Sequence, residues 1–124
     1  VDVNERSLAL TARNAEAAGL DNVRTAPADA LLAELSESST PVDLIWSNPP
    51  VRIGKEALHA LLLDWLALLS DDGEAWLVVQ KNLGADSLLP WIGRMLEERA
   101  PSRFTAERAD SVKGFRILRV ARAR

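Results

Sequence analysis

The sequence predicts an α/β domain with a mostly parallel sheet that closes in an antiparallel hairpin. Three observations predict this fold. Short apolar stretches alternate with amphipathic ones, a strand-like stretch at 42–48 is followed by a helical leucine pattern, and two strand-like stretches surround a turn near the end. Strands separated by helices pair in parallel, whereas strands joined by a tight turn pair antiparallel. The 124 residues are enough for one domain with a buried core.

Residues 1–40 contain two predicted helices. The opening "VDV" is typical of the end of a strand, and residues 5–19 form an alanine-rich helix that ends at Gly19. The stretch "NVRTA", at 22–26, predicts a short strand, and a helix over 28–36 follows it. This part therefore continues the alternation of strands and helices.

Residues 42–80 contain the clearest strand and the clearest helix. The strand "VDLIWSN" precedes a helix after Gly54, whose apolar residues recur at helical spacing up to Leu69. The segment "SDDGE" predicts a turn before a strand over 75–80. We expect Trp46, Trp65, Trp76 and Trp91 to lie in the core and His59 to be structural, because nothing in the sequence pairs with it as a triad or a ligand set.

The last third predicts a helix and a hairpin. The helix covers 86–99 with Pro90 in its first turn, and strands over 103–108 and 115–121 surround a turn at 110–114. An antiparallel pair at the end of an α/β run predicts a mixed sheet.

Composition excludes several classes of function. The chain has no cysteine and one histidine, which argues against disulfides, thiolate chemistry and a transition-metal site, and a reducing cytoplasm is expected. No signal peptide or membrane span is predicted. Residues 1–50 carry 3 basic and 8 acidic side chains, whereas the tail from Arg99 carries 8 basic and 2 acidic ones. A basic tail favours a polyanion such as RNA, but ordinary solvated strand faces have the same pattern.

Two acidic residues follow predicted strands in the first part of the chain. Asp2 lies in "VDV", at the predicted end of a strand, and Asp29 lies in "TAPADA". A carboxylate at the end of a strand in a Rossmann-type sheet binds ribose hydroxyls, and Asp29 with the backbone of Ala30 could bind an adenine ring. Each could instead cap the helix that follows it, as Asn4 or Ser7 could. Together, the pair favours an adenosine site.

The stretch "DLIWSNPPVRIGK" places an amide and two prolines directly after the clearest strand. Consecutive prolines fix φ and lack N–H donors, so Asn48, Pro49 and Pro50 form a rigid corner at the end of the strand. The Asn48 side-chain oxygen and the Pro49 carbonyl can accept the two N–H groups of a planar amine. This contact strengthens as the nitrogen rehybridises to attack a methyl group, and catalysis requires such a contact.

At this motif the chain resembles class I S-adenosylmethionine-dependent methyltransferases that modify planar amino groups. "SNPPVRIGK", "VVQKNLGA" and "KGFRILRV" resemble the small-domain branch, which contains the ribosomal RNA guanine-N2 methyltransferases, and "VDVNERSLALTARNAEAAGL" resembles the second strand and helix of that family. The resemblance implies a Rossmann-like fold, S-adenosylmethionine as cofactor and RNA as substrate. It also implies Asn48, Pro49 and Pro50 as catalytic residues, and Asp2, Val3, Asp29, Ala30 and Asn48 as cofactor-binding residues.

Three residues are candidate substrate contacts. The resemblance implies Val51, which follows N-P-P, whereas Arg52, beside the motif, and Lys81, after the strand over 75–80, could contact RNA phosphates. Simple exposure to solvent would explain Arg52 equally well. Val51 departs from the aromatic residue that the family normally has after N-P-P, so stacking on a base is weakened. The family's first strand and glycine-rich loop are not in this sequence, and we expect residues 1–124 to be one methyltransferase domain at the C-terminal end of a longer chain. Two alternatives stay open, namely a non-catalytic RNA- or protein-binding module and N-methylation of adenine or of a protein glutamine.

Overall fold

The computed structural model describes residue 1 and residues 4–49, 54–81 and 85–122 of the chain, without the side chains of residues 85 and 86. The chain divides into two compact units, Val1–Thr40 and Pro41–Arg124. The described part of the first unit contains helices α1 (Glu5–Ala17) and α2 (Ala28–Glu37).

Helix α1 is capped at both ends by local interactions. The Asn4 side-chain oxygen accepts hydrogen bonds from the backbone N–H groups of Arg6 at 2.9 Å and Ser7 at 3.3 Å. At the other end Gly19 takes φ +71°, and the N–H of Leu20 donates to the Ala15 carbonyl at 2.9 Å. This is the Schellman arrangement, in which glycine supplies the left-handed backbone. The prediction of Gly19 as the end of this helix is confirmed.

The predicted strand over 22–26 is wrong, since residues 23–27 have no regular secondary structure. Val23 is 41% exposed, so little apolar burial holds this stretch extended. Among the described residues of this unit there is no strand with which it could pair, and an isolated strand is not stable in water.

The second unit forms a four-stranded mixed sheet with two helices. The strand order is β1-β2-β4-β3, in which β1 and β2 pair in parallel and the other neighbours pair antiparallel. This arrangement confirms the predicted fold class with its C-terminal hairpin. The elements are β1 (Val42–Ser47), α3 (Lys55–Leu66), β2 (Leu69–Gln80), α4 (Ala85–Arg99), β3 (Phe104–Val112) and β4 (Phe115–Arg122).

Strand β2 begins six residues earlier than predicted, at Leu69 rather than at residue 75. Leu69 pairs with Val42 and therefore belongs to the strand and not to the preceding helix. The segment "SDDGE" bulges within the β1–β2 pairing, where the register shifts between Val42 and Leu44. A Cβ atom on Gly73 would lie 2.9 Å from the Val42 carbonyl oxygen, so the close backbone approach requires glycine there.

Pro90 lies inside α4, as the sixth residue of the helix, and not in its first turn as predicted. Proline lacks the N–H that would bond to the carbonyl four residues earlier. The helix begins at Ala85 in spite of this lost bond.

The core lies on the face of the sheet that α3 and α4 cover. Alternate residues of β2 point into it, with Ala75, Leu77 and Val79 at most 1% exposed. Ile92 of α4 is fully buried in the same cluster. His59 of α3 stacks on Trp91 of α4 with ring centroids 3.4 Å apart, and burial together with nearby Lys55 lowers the pKa of His59. His59 therefore has the structural role that was predicted for it.

The opposite face of the sheet, here called the open face, carries the intervening residues of the same strands. On β1, Leu44 is 60% exposed and Trp46 is 79% exposed, whereas Ile45 packs against the core. The prediction that Trp46 is buried is thus wrong, because strand side chains alternate between the two faces. On the neighbouring strands of this face, an ion pair joins Glu74 and Arg119 at 2.8 Å.

Trp91 packs against the core cluster, as predicted, and Trp65 is half-buried. Trp76 is half-buried too, but it pairs with Trp46 and lies on the open face, so the prediction that it lies in the core is wrong. None of the described helices has the length and apolar character needed to cross a membrane.

Candidate functional site

Asn48 and Pro49 lie at the carboxyl end of β1. The strand ends at Ser47, which pairs with Leu77 of β2, and Asn48 follows directly with an exposed side chain. Pro49 is buried. Burial and the fixed φ of proline hold the backbone at this corner, while the amide of Asn48 stays accessible to a ligand.

Lys81 follows the carboxyl end of β2, at the same edge of the sheet as Asn48, because β1 and β2 are parallel. Its side chain is exposed, and its backbone N–H donates to the Gly114 carbonyl at 2.8 Å. The structure thus brings Asn48, Pro49 and Lys81 to one edge of the second unit, in agreement with the sequence-based prediction of their positions.

Asp29 is the second residue of α2 in the first unit, and its side chain is exposed. One carboxylate oxygen, Oδ1, accepts a hydrogen bond from the N–H of Ala30 at 2.9 Å. The N-cap of α2 is Pro27, so the alternative that Asp29 is the cap residue is wrong. A carboxylate in the first turn nevertheless interacts favourably with the helix dipole.

Five of the predicted site residues lie outside the described residues: Asp2, Val3, Pro50, Val51 and Arg52. Their roles stay predictions. From the sequence, Asp2, Asn4 and Ser7 are each possible N-caps of α1. The cap is Asn4, as its two hydrogen bonds show.

The chemistry available at the edge of the second unit is that of hydrogen-bond acceptors and a cation. An amide oxygen and a proline carbonyl can accept N–H groups, and the Lys81 ammonium can pair with an anion. In the part of the chain that the structure describes, no three His, Asp or Glu side chains gather as metal ligands. These groups are suited to bind and orient an amine on an anionic molecule.

Sequence reasoning missed one participant at this edge, namely the turn between β3 and β4. Lys113 and Gly114 take φ values of +47° and +83°, and this turn reaches the end of β2 through the bond between Lys81 and Gly114. Lys-Gly between two strand-like stretches indicates such a turn. Its position beside Lys81 follows only from the pairing of β2 with β4.

Comparison with known proteins shows the family of this chain. Residues 1–111 match the family described as methyltransferase small domain. The chain belongs to the methyltransferase small domain family. It is also 35% identical over 98 residues to the uncharacterized protein YbxB of Bacillus subtilis (strain 168), and the match covers 79% of this chain and 48% of YbxB. The chain thus spans about half the length of this relative.

Solved structures show that the fold is shared with methyltransferases. An rRNA methylase from Streptococcus thermophilus superposes with a TM-score of 0.70 at 15% identity, over 99% of this chain and 71% of that one. The Streptococcus mutans protein SMU.1697c, in complex with SAH, superposes with a TM-score of 0.65 at 14% identity, over 98% of this chain and 73% of that one. At 15% and 14% sequence identity, these superpositions show a shared fold and do not by themselves show a shared activity.

The predicted family and its Rossmann-like fold are confirmed by these comparisons. S-adenosylmethionine, the predicted cofactor, is confirmed at the level of the family, and one structural neighbour holds SAH. The roles assigned to individual site residues stay predictions.

Proposed function

We propose that the protein is an S-adenosylmethionine-dependent methyltransferase acting on an exocyclic amino group, with guanine N2 of ribosomal RNA as its target. One observation carries the proposal. The exposed amide of Asn48 stands at the carboxyl end of β1, directly before the buried Pro49, in a member of the methyltransferase small domain family. An exposed amide ahead of a rigid corner is suited to hold a planar amine in one orientation.

The chain offers hydrogen-bond acceptors that fit the adenosine part of the cofactor. S-adenosylmethionine supplies a methyl group that is activated by the sulfonium centre. The exposed carboxylate of Asp29 can accept a hydrogen bond from the adenine amino group. When the Asp29 side chain rotates away from the Ala30 N–H, that N–H can donate to the edge of the adenine ring. By resemblance, Asp2 binds the ribose hydroxyls and Val3 also contacts the cofactor.

At the target amine, Asn48 and Pro49 act as acceptors. The Asn48 side-chain oxygen and the Pro49 carbonyl each bind one N–H, which releases the nitrogen lone pair from the ring and favours attack. These bonds strengthen as positive charge develops on the nitrogen, so they stabilise the transition state more than the ground state. The proton then leaves to solvent, and Asn48 does not need to act as a base. Pro50 stiffens the corner, while Val51, Arg52 and Lys81 contact the substrate.

The first experiment is calorimetric titration of S-adenosylhomocysteine into the chain, with Asp29→Ala and Asn48→Ala as variants. We expect one-to-one binding that Asp29→Ala weakens, and we expect Asn48→Ala to reduce cofactor affinity much less than it reduces turnover. A folded chain that binds no S-adenosylhomocysteine would contradict the cofactor assignment for these residues.

The second experiment measures transfer of a radiolabelled methyl group to ribosomal RNA stripped of protein, followed by nucleoside analysis. We expect N2-methylguanosine and a loss of turnover of about 10²- to 10³-fold for Asn48→Ala, as when one transition-state hydrogen bond is removed. Labelled adenine would favour the adenine alternative. Label in ribosomal protein instead of RNA would favour the glutamine alternative. Cofactor binding without transfer to either would favour a non-catalytic module.

We also infer the setting in which the activity operates. The family match runs without interruption from the first compact unit into the second, which supports a single methyltransferase domain. The match to about half of YbxB supports the expectation that the whole protein is longer. A ribosomal RNA substrate implies a cytoplasmic location.

A further inference from the structure

The turn between β3 and β4 lies against the end of β2. Val112 and Phe115 pair across this turn, and Phe115 also pairs with Gln80. Directly after the end of β2, the Lys81 N–H donates to the Gly114 carbonyl at 2.8 Å. The backbone positions of Lys81 and of the turn are therefore linked by direct pairing.

Two exposed lysines lie at this backbone contact, one on each side of it. Lys81 and Lys113 both have exposed side chains. Lys113 takes φ +47° and is followed by Gly114 at φ +83°, the left-handed pair that is typical of a tight hairpin turn. A non-glycine residue in this conformation is uncommon, so the lysine sits where asparagine or glycine would fit more easily.

The charge around the turn favours an anion. Asp110 is the acidic residue near it on β3, and its Oδ1 already accepts the N–H of Ser111 at 2.7 Å. Lys81 and Lys113 are the two exposed cations that the described backbone places at this contact. Exposed lysines that lie close together on a rigid backbone provide a site for phosphate groups.

The lysines lie within reach of the corner at Asn48. Ser47 pairs with Leu77 in a parallel register, which puts Asn48 level with Val78. Lys81, directly after the end of β2, lies three residues beyond Val78. At the usual rise of a strand this is a separation of roughly 10 Å along the sheet. That distance suits an RNA strand whose target nucleobase is at Asn48 and whose phosphate backbone continues towards the hairpin turn.

We propose that Lys81 and Lys113 together bind backbone phosphates of a single-stranded RNA segment beside the target nucleotide. The proposal rests on the proposed function, because it takes Asn48 as the position of the target base. Such contacts give affinity and register without selecting a base sequence. They make the hairpin turn a part of the substrate surface.

The test is fluorescence anisotropy with a labelled 12-nucleotide single-stranded RNA over a series of salt concentrations. The variants are Lys81→Gln, Lys113→Asn and the double variant, and Arg103→Gln is the matched control. Arg103 carries the same charge, is exposed, and lies before β3, at the opposite end of the sheet from the turn. Asparagine tolerates the left-handed backbone at 113, and Lys113→Gly is a second variant if Lys113→Asn is unfolded by circular dichroism.

A plot of log affinity against log salt concentration has a negative slope. Each lysine variant should make this slope less negative by about 0.7, and the double variant by about twice that. Arg103→Gln should leave the slope unchanged. Equal slopes for wild type and the double variant would overturn the proposal. So would an equal loss for Arg103→Gln, since the effect would then come from net charge alone.

The test of the phosphate contacts and the test of the proposed function can fail independently of each other. Lysine-dependent RNA binding without any methyl transfer would contradict the methyltransferase activity and leave the phosphate contacts standing. Methyl transfer to RNA, with salt slopes that do not depend on Lys81 or Lys113, would overturn the phosphate contacts alone.

Discussion

The two faces of the sheet in the second unit differ although they are built from the same strands. On the face that α3 and α4 cover, Leu77, Val79 and Val120 are at most 1% exposed. On the open face, Leu44 and Trp46 are 60% and 79% exposed, and polar contacts link the neighbouring strands. The difference teaches that the apolar character of a strand does not by itself determine which of its side chains are buried.

The polar contacts of the open face form one small network. Arg119 donates to Glu74 at 2.8 Å and to Glu107 at 3.3 Å, and the Trp76 ring nitrogen donates to Glu74 at 3.0 Å. Hydrogen bonds donated by Arg119 and then by Trp76 lower the pKa of Glu74, and the bond that Arg119 donates to Glu74 raises the pKa of Arg119. Polar contacts, centred on the half-buried pair of Glu74 and Arg119, therefore link the strands on this face, whereas packing stabilises the covered face.

The largest expected effect comes from the covered face. Ile92→Ala should lower the free energy of unfolding by about 2–5 kcal/mol, because it leaves a cavity in a fully packed cluster. Leu44→Ala on the open face should change it by less than about 0.5 kcal/mol. Urea denaturation measures both. Equal losses would contradict the contrast and would mean that Leu44 is covered in solution.

An intermediate effect is expected where β1 and β2 approach most closely. Gly73→Ala should destabilise the protein by about 1–3 kcal/mol, because the added Cβ would meet the Val42 carbonyl oxygen at 2.9 Å.

Gly93→Ala is the matched control for this substitution. A Cβ at Gly93 has no neighbour within 4 Å, and alanine favours a helix interior over glycine by about 1 kcal/mol. Thermal unfolding should therefore shift in opposite directions for the two variants. A shift in the same direction would show that the close approach at Gly73 relaxes without cost.

The smallest effect belongs to the open face and depends on pH. The pKa of Glu74 is lowered in the folded protein, so its contribution to stability is present above the pKa of an unfolded glutamate, about 4.3, and is lost as pH falls through and below that value. Glu74→Gln should therefore destabilise the protein at pH 7, and its difference from wild type should shrink towards pH 3.

Urea denaturation at a series of pH values between 3 and 7 measures this difference. Glu98→Gln, an exposed change on α4, is the control and should show no such convergence. A Glu74→Gln deficit that stays constant down to pH 3 would show that packing, and not the charge, accounts for it.

Local patterns predicted much of this protein correctly. The helical spacing after Gly54 predicted α3, the Gly19 signal predicted the end of α1, and Asn48 and Pro49 were predicted at the end of a strand. Each depends on residues close in sequence, whose periodicity and backbone preferences can be read directly. The motif also led to the right family.

The errors have a common cause. The strand predicted at 22–26 lacks a pairing partner among the described residues of its unit, the start of β2 is set by the pairing of Leu69 with Val42, and the exposure of Trp46 depends on which face the helices cover. All three depend on contacts between residues that are distant in sequence. Propensity describes a segment alone and contains no information about its neighbours in space.

The sequence by itself determined the order of most elements, the rigid corner at Asn48 and Pro49, and membership of a methyltransferase family. These follow from local backbone chemistry and from motifs within short stretches. Only the tertiary structure decided that β1 exposes Leu44 and Trp46, and that the turn at Lys113 lies beside Lys81. Strand pairing creates such neighbours, because it joins segments more than thirty residues apart through backbone hydrogen bonds that any sequence can make.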